Sequence, residues 1–275
     1  MSRHAELFVA ACEAELQALK PGNIHVFAGG HGMTVEDFRR SARAAAPGIA
    51  DPALGVGARV LAAVEATRAA VAQNTNLGIL LLCAPLLCAA DRKGPLAREL
   101  RRILHGLGVD DARSAFAAIR LASPGGLGEA AEADVRDEPR IGLLDAMRLA
   151  EARDRIAWNY GHGMADLLRR GAPRLATLRA RGWPEPWPTS GLYLDLLATI
   201  PDSHVARKHG AEAAAALCLR VRPLAAALLG ATDPSRLAPE LLQLDAALKA
   251  EGLNPGTTAD LTVASHLALA LLREV

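Results

Sequence analysis

The chain has few aromatic residues and no excess of charge of either sign, and both shortages exclude classes of protein. Phe, Trp and Tyr make up only 3% of the 275 residues, whereas hydrophobic residues as a whole make up 51%. Strands favour β-branched and aromatic side chains, so a composition dominated by Ala and Leu favours close-packed helices. The 31 basic residues are balanced by 30 acidic ones. Nothing in this balance indicates a nucleic-acid partner.

The sequence also lacks the signals of export, membrane insertion and cysteine-based sites. Its first residues contain no apolar signal core, and its four cysteines form no C-x-x-C pair. We therefore expect buried thiols in a reducing cytoplasm. The longest apolar run, Leu77 to Ala90, is shorter than the ~20 residues that span a bilayer, and Pro85 interrupts it. It predicts a buried core helix and no membrane partner.

Apolar residues recur at helical spacing along most of the chain, without strand alternation or a repeat. We predict an all-α, single-domain bundle over residues 1–275, with polar clusters at the helix ends. Thr34 to Asp37 has the form of a capping box and predicts a helix to about Ala45. Pro47 to Gly57 reads as a loop, and Leu143 to Leu168 as one helix with Glu151–Arg155 pairs on its surface.

Polar, glycine-rich clusters lie at the predicted helix boundaries, and Lys20 to Asp37 is the first of them. Such a cluster also fits an ordinary surface loop, so each one alone is weak evidence. Because alternate helix ends of an antiparallel bundle meet at one face, several clusters could form one site whose cations and glycine amides suit phosphate oxygens. The others span residues 73–78, 123–134, 151–155, 202–209 and 254–260.

Carboxylates in such a site usually reach phosphates through Mg²⁺, which prefers oxygen ligands and retains water. No D-x-D, H-E-x-x-H, Walker A or G-x-S-x-G motif singles out a particular metal or nucleophile site. Each carboxylate also has an ordinary interpretation as a solvated loop residue or a helix cap. The candidate Mg²⁺ ligands are Asp134, Asp154, Asp202 and Asp260.

Six segments, in order along nearly the whole chain, carry a resemblance to a known family: Lys20–Gly22, Asn74–Gly78, Arg120–Gly128 with Ala133–Val135, Arg153–Ala157, Asp202–Gly210 and Asn254–Leu261. Together they resemble the triphosphoribosyl-dephospho-CoA synthase family. The resemblance implies an all-helical transferase in which the 2′-hydroxyl of 3′-dephospho-CoA attacks the ribose of ATP and adenine leaves. It implies ATP as substrate, Mg²⁺, and a small-molecule cofactor precursor as acceptor, and it leaves a homo-oligomer open.

The resemblance also implies roles for residues at the matching positions. Asp134, Asp154 and His204 are predicted to be catalytic. Glu15, His25, His31 and Asp37 are interpreted as structural, although Glu15 lies beside an apolar stripe and could point toward the following loop. The predicted nucleotide-binding residues are Lys20, Gly22, Asn23, Asn74, Asn76, Arg207, Lys208 and Asn254.

The chain departs from typical members at two positions of the predicted site. Those members carry Asn-Thr-His-Lys-Gly where this chain has Asn74-Thr-Asn-Leu-Gly78, so that Asn76 and Leu77 replace the His-Lys pair. They also carry an acidic residue after Lys-Pro-Gly-x-Val, where this chain has Asn23-Ile-His25. Loss of a His-Lys pair removes a cation and a proton donor, which bears on the acceptor more than on the fold or the nucleotide. The expected acceptor is 3′-dephospho-CoA or a related cofactor precursor. Two alternatives stay open: phosphoryl transfer in the synthesis of a tetrahydromethanopterin- or methanofuran-type cofactor, and a non-catalytic nucleotide-binding regulatory protein.

Overall fold

The computed structural model describes residues 1–30, 32–123 and 134–274, and in these ranges the chain is helical without strands. Two isolated bridges, His25 to Ala28 and Gly30 to Met33, are the only extended pairings in this part of the chain. The predicted all-α class is confirmed. The helices are α1 (Arg3–Gln17), α2 (Val35–Ile49), α3 (Val56–Val71), α4 (Leu77–Ala90), α5 (Leu96–His105), α6 (Val109–Ala122), α7 (Leu143–Ala150), α8 (Arg155–Gly161), α9 (Ala172–Ala180), α10 (Trp187–Leu197), α11 (Ser203–His209), α12 (Ala211–Gly230), α13 (Ala238–Ala250) and α14 (Gly256–Leu272).

Helix α4 lies at the centre of the larger of two apolar clusters, in contact with α3, α5, α8 and α14. Every residue of α4 except Gly78 and Ala90 is buried. Helix α4 is therefore the core helix that the apolar run predicts. A smaller cluster includes Tyr193 of α10, Leu217 of α12 and Leu241 of α13, and α10 packs on α12 within it. Helix α14 contacts both α4 and α10, so it joins the two clusters.

Helix α12 is long and apolar enough to cross a membrane by length and composition alone. No other helix in the described ranges passes that test. About a third of its most apolar window is buried against the rest of the chain, where it packs on α10 and α11. A core helix of a globular protein has the same composition, so the helix is weak evidence for a membrane.

Two sequence-based boundaries are wrong. Helix α2 begins with the predicted capping box of Thr34 and Asp37 but continues through Pro47 to Ile49, so the predicted loop is shorter. The predicted helix from 143 to 168 is broken, because Asp154 caps a new helix, α8. The Glu151–Arg155 surface pair is therefore not formed. Arg155 instead makes a bidentate ion pair with Asp166, at 2.7 and 2.8 Å.

Candidate functional site

Helix ends from distant parts of the chain surround one cavity of about 970 Å³. The first turns of α4, α8 and α14 open onto it, together with one face of α11. Ten residues that the sequence singles out line it: Asn23, Asn74, Asn76, Asp134, Asp154, His204, Arg207, Lys208, Asn254 and Asp260. Segments from position 23 to position 260 therefore meet at one place.

Helices α6 and α7 supply an apolar wall to the same cavity, which sequence reasoning did not identify. Phe116 and Ile119 of α6 line it with Met147, Leu149 and Ala150 of α7. Their spacing is that of ordinary core positions, so the sequence offered no signal to separate them from the core. A cavity with one apolar wall and one polar wall suits a ligand that has both uncharged and charged parts.

Asp154 uses its two carboxylate oxygens for different tasks. Oδ1 accepts hydrogen bonds from the backbone N–H groups of Ile156 and Ala157, at 2.8 and 3.1 Å, and so caps α8. Oδ2 lies 3.3 Å from the guanidinium of Arg207, which it holds at the cavity. Helix capping fixes the position of the carboxylate, and Oδ2 faces the polar wall.

Asp260 is packed against the backbone of α4 at Gly78. A Cβ at position 78 would lie 2.6 Å from Cγ of Asp260 and 2.8 Å from Cδ1 of Ile156, so only glycine leaves room for this carboxyl group. Burial and the nearby charges of Asp202 and Glu15 hold the pKa of Asp260 well above its usual range. Asp260 makes no hydrogen bond or ion pair with residues in the described ranges.

Asp134 and Asp202, two other predicted metal ligands, are already engaged. Arg136 binds Asp134 through both carboxylate oxygens at 2.9 Å, and Asp134 adjoins residues 124–133, which lie outside the described ranges. Asp202 lies behind the cavity and ties α11 to α14. Its Oδ1 accepts from the N–H groups of His204 and Val205, and its Oδ2 accepts from Thr258 at 2.7 and 2.8 Å. The position of Asp202 gives no support to a metal role.

Lys20 and Gly22 lie behind the wall of the cavity rather than in it, contrary to their predicted contact with a nucleotide. The Lys20 side chain is fully buried and donates to Glu15 and to Oδ1 of Asn23. Burial raises the pKa of Glu15 and lowers the pKa of Lys20. Gly22, at φ +83°, donates its N–H to Asp245 at 2.9 Å. Glu15, which we interpreted as structural, does line the cavity.

Helix α11 presents a basic face to the cavity through Arg207 and Lys208. Lys208 is exposed and has no ion pair within the described part of the chain. The ring of His204 packs so closely on Gly256, at the start of α14, that a side chain at 256 would collide with Nδ1. Arg155 adds a further cation that sequence reasoning missed; its guanidinium lies 3.6 Å from the centre of the Trp158 ring.

The segment that precedes α4 forms the floor of the cavity with amide and apolar groups. Oδ1 of Asn74 accepts from the N–H of Leu77 at 3.2 Å, and Nδ2 of Asn76 donates to Thr67 at 3.0 Å. Leu77 itself lines the cavity. Where typical members carry a His-Lys pair, the chain therefore presents the neutral amide of Asn76 and the aliphatic side chain of Leu77.

The remaining sequence-based interpretations concern structural residues and a metal. Asp37 is a capping residue, as expected, and His25 is buried with its Nε2 3.3 Å from Asp245. His31 lies outside the described ranges. Within those ranges no group of three or more His, Cys, Asp and Glu side chains is placed to hold a metal ion.

Comparison with known proteins connects this geometry with one family. The family model described as CitG, ATP:dephospho-CoA triphosphoribosyl transferase, matches residues 1–275. A solved structure from Archaeoglobus fulgidus, which bears the provisional description triphosphoribosyl-dephospho-CoA synthase, is similar with a TM-score of 0.65 at 26% identity. That match covers 84% of this chain and 97% of the other. A search of curated proteins gave no match.

Proposed function

Since the chain belongs to the CitG family of ATP:dephospho-CoA triphosphoribosyl transferases, we propose that its cavity binds ATP together with an acceptor of the 3′-dephospho-CoA type. One observation carries this proposal: cations, carboxylates and an apolar wall converge in a single cavity large enough for sizeable ligands. Arg207 and Lys208 supply positive charge for the triphosphate. The apolar wall of α6 and α7 suits the uncharged parts of the two substrates.

The transfer forms a bond between the acceptor 2′-oxygen and ribose C1 and breaks the bond between C1 and adenine N9. The proton of the hydroxyl is balanced by the proton that adenine gains on leaving. Positive charge develops on the ribose between these events, and a nearby carboxylate stabilises it. Asp260 is the cavity carboxyl group that we assign to this role. Burial raises its pKa, and positive charge on the ribose favours its ionised form.

Mg²⁺ fits the donor set as a companion of the triphosphate rather than as a resident ion. Nucleotide-bound Mg²⁺ commonly takes one or two carboxylates and completes its shell with phosphates and water. Asp154, whose Oδ2 faces the polar wall, would hold it, and it would neutralise phosphate charge there. The described residues offer no three-ligand site, which agrees with binding that depends on the nucleotide.

We propose the cytoplasm as the site of this activity. All four cysteines, Cys12, Cys83, Cys88 and Cys218, are buried free thiols, a state typical of a reducing compartment.

Incubation with ATP, Mg²⁺ and dephospho-CoA, followed by chromatography of the nucleobases, tests the proposal. We expect adenine to appear in proportion to consumed acceptor, and Asp154→Asn to slow its release. Release of ADP instead would favour phosphoryl transfer, and binding without turnover would favour a regulatory protein. Either result would refute the proposed function.

A further inference from the structure

Four side chains, Glu15, Lys20, Asn23 and Asn254, form a hydrogen-bond network that leads from the protein interior to the cavity wall. Nζ of Lys20 donates to Glu15 and, at 3.2 Å, to Oδ1 of Asn23. Nδ2 of Asn23 donates to Oδ1 of Asn254 at 2.8 Å. Glu15, Asn23 and Asn254 line the cavity, whereas Lys20 has no exposed surface.

Lys20 fixes the direction of every hydrogen bond in this network. An ammonium group can only donate, so the group of Asn23 that faces Lys20 must be its carbonyl oxygen. The amide nitrogen of Asn23 then faces Asn254 and must meet an acceptor. Asn254 therefore turns its own carbonyl oxygen toward Asn23 and its NH₂ group away. Assignment of amide orientation usually rests on the surrounding network, and here the network has one solution.

The NH₂ group of Asn254 is consequently left as a donor at the cavity. Asn254 is 8% exposed and lines the cavity, and its Nδ2 has no hydrogen-bond partner among the described residues. Within the described part of the chain, Nδ2 of Asn254 is not one of the fully enclosed atoms that lack a partner, so part of its surface stays accessible. An amide NH₂ in such a place is available to donate to a bound ligand.

We infer that Asn254 binds a phosphate oxygen of the nucleotide through Nδ2, and that Lys20 is the positioning residue that sets the direction of this donor. This inference rests on the proposed function. A phosphate oxygen is favoured because it needs only a donor. An amide that binds the edge of adenine pairs its NH₂ with N7 and its carbonyl oxygen with the N6 amino group, and the carbonyl oxygen of Asn254 already accepts from Asn23. Arg207 and Lys208 line the same cavity and supply the positive charge that a phosphate needs.

Binding of three probes to Asn254→Leu, measured by isothermal titration calorimetry, tests the role of the amide. We expect the Kd of ATP and of tripolyphosphate to rise about 10- to 100-fold, the loss typical of a hydrogen bond to a charged group, and the Kd of adenosine to stay unchanged. Gln243→Leu, an exposed amide on α13, is the control and should bind all three probes normally.

Three results would overturn the inference. Unchanged ATP binding by Asn254→Leu would remove the role of the amide. Loss of adenosine binding alone would assign the donor to the base. Absence of ATP binding by the unaltered protein would refute the proposed function as well, so the two failures are distinguishable.

The role of Lys20 needs a readout that a purely structural residue would not affect. In the unaltered protein with ¹⁵N-labelled asparagine, tripolyphosphate should shift the side-chain amide signal of Asn254. In Lys20→Met/Glu15→Gln, which removes the ion pair without stranding a charge, Asn23 is free to rotate. We expect this variant to lose that shift and to bind ATP at least about tenfold more weakly, while Lys20→Arg retains both. A double variant with normal ATP affinity, or an unaltered protein without the shift, would overturn the assignment.

Discussion

Replacement of Gly78 by alanine gives a sharp test of the geometry around Asp260. Alanine at this helix position would ordinarily stabilise the chain by up to about 1 kcal/mol, because glycine is a poor helix former. Here the added Cβ would lie 2.6 Å from Cγ of Asp260 and 2.8 Å from Cδ1 of Ile156. Both groups must move, and such overpacking typically costs about 1–3 kcal/mol. The expected net loss of unfolding free energy is therefore about 0–2 kcal/mol.

The functional effect should be larger than the effect on stability. Displacement of Asp260 moves a carboxyl group that we place beside the reacting ribose, so we expect adenine release to fall at least about tenfold, since misplacement by about 1 Å can cost 100-fold. Gly230→Ala is the matched control, because it ends helix α12 and a Cβ there meets nothing within 4 Å. Urea unfolding and adenine release should both be near normal for this control. A Gly78→Ala protein that releases adenine at the unaltered rate would refute the reasoning.

Three further predictions concern single contacts. Asp154→Asn keeps a good helix cap, so it should leave the unfolding free energy within about 0.5 kcal/mol while slowing adenine release about 100-fold. Asp154→Ala should also lose about 1 kcal/mol of stability. Equal activity of Asn and Asp at position 154 would show that the charge of Asp154 is not needed. Lys20→Met alone leaves Glu15 as a buried charge without a partner and should lower the free energy of urea unfolding by about 3–5 kcal/mol. Lys20→Met/Glu15→Gln should restore most of that loss. No recovery in the double variant would contradict the ion pair between Lys20 and Glu15. Burial lowers the pKa of His266, a residue of α14, to about 3. Below the ordinary histidine pKa near 6.5 the unfolded state therefore binds a proton that the folded state does not, and the free energy of unfolding falls as the pH drops. This group should account for about 2 kcal/mol between pH 7 and pH 5, and the same pH dependence in His266→Gln would contradict that assignment.

The meeting of polar clusters was predictable, because alternate helix ends of an antiparallel bundle lie at one face. The helical class was predictable because it depends on patterns within short segments. The capping box of Thr34 and Asp37 is complete in four residues, and its structure agrees with the prediction. The apolar run of α4 likewise identifies a core helix from composition alone. Each of these inferences needs only the neighbours of a residue along the chain.

The roles of individual polar residues depend on contacts across the chain, which spacing does not reveal. Asp154 and Asp202 both cap short helices, but Asp202 gives its second oxygen to Thr258, 56 residues away, whereas Asp154 keeps its second oxygen at the cavity. Lys20 has the appearance of a phosphate ligand in sequence. It is buried because Glu15 turns inward from the last turn of α1 and Asn23 meets Asn254. No local pattern distinguishes these cases.

The most direct test follows both ends of ATP in one reaction. The protein is incubated with Mg²⁺, dephospho-CoA and ATP that carries ¹⁴C in adenine and ³²P in the γ-phosphate, and the modified acceptor is isolated. Transfer of the triphosphoribosyl group predicts a product that contains ³²P and no ¹⁴C, with one ¹⁴C-adenine released for each product formed. A ³²P-labelled product accompanied by ¹⁴C-ADP, or no labelled product, would contradict the account.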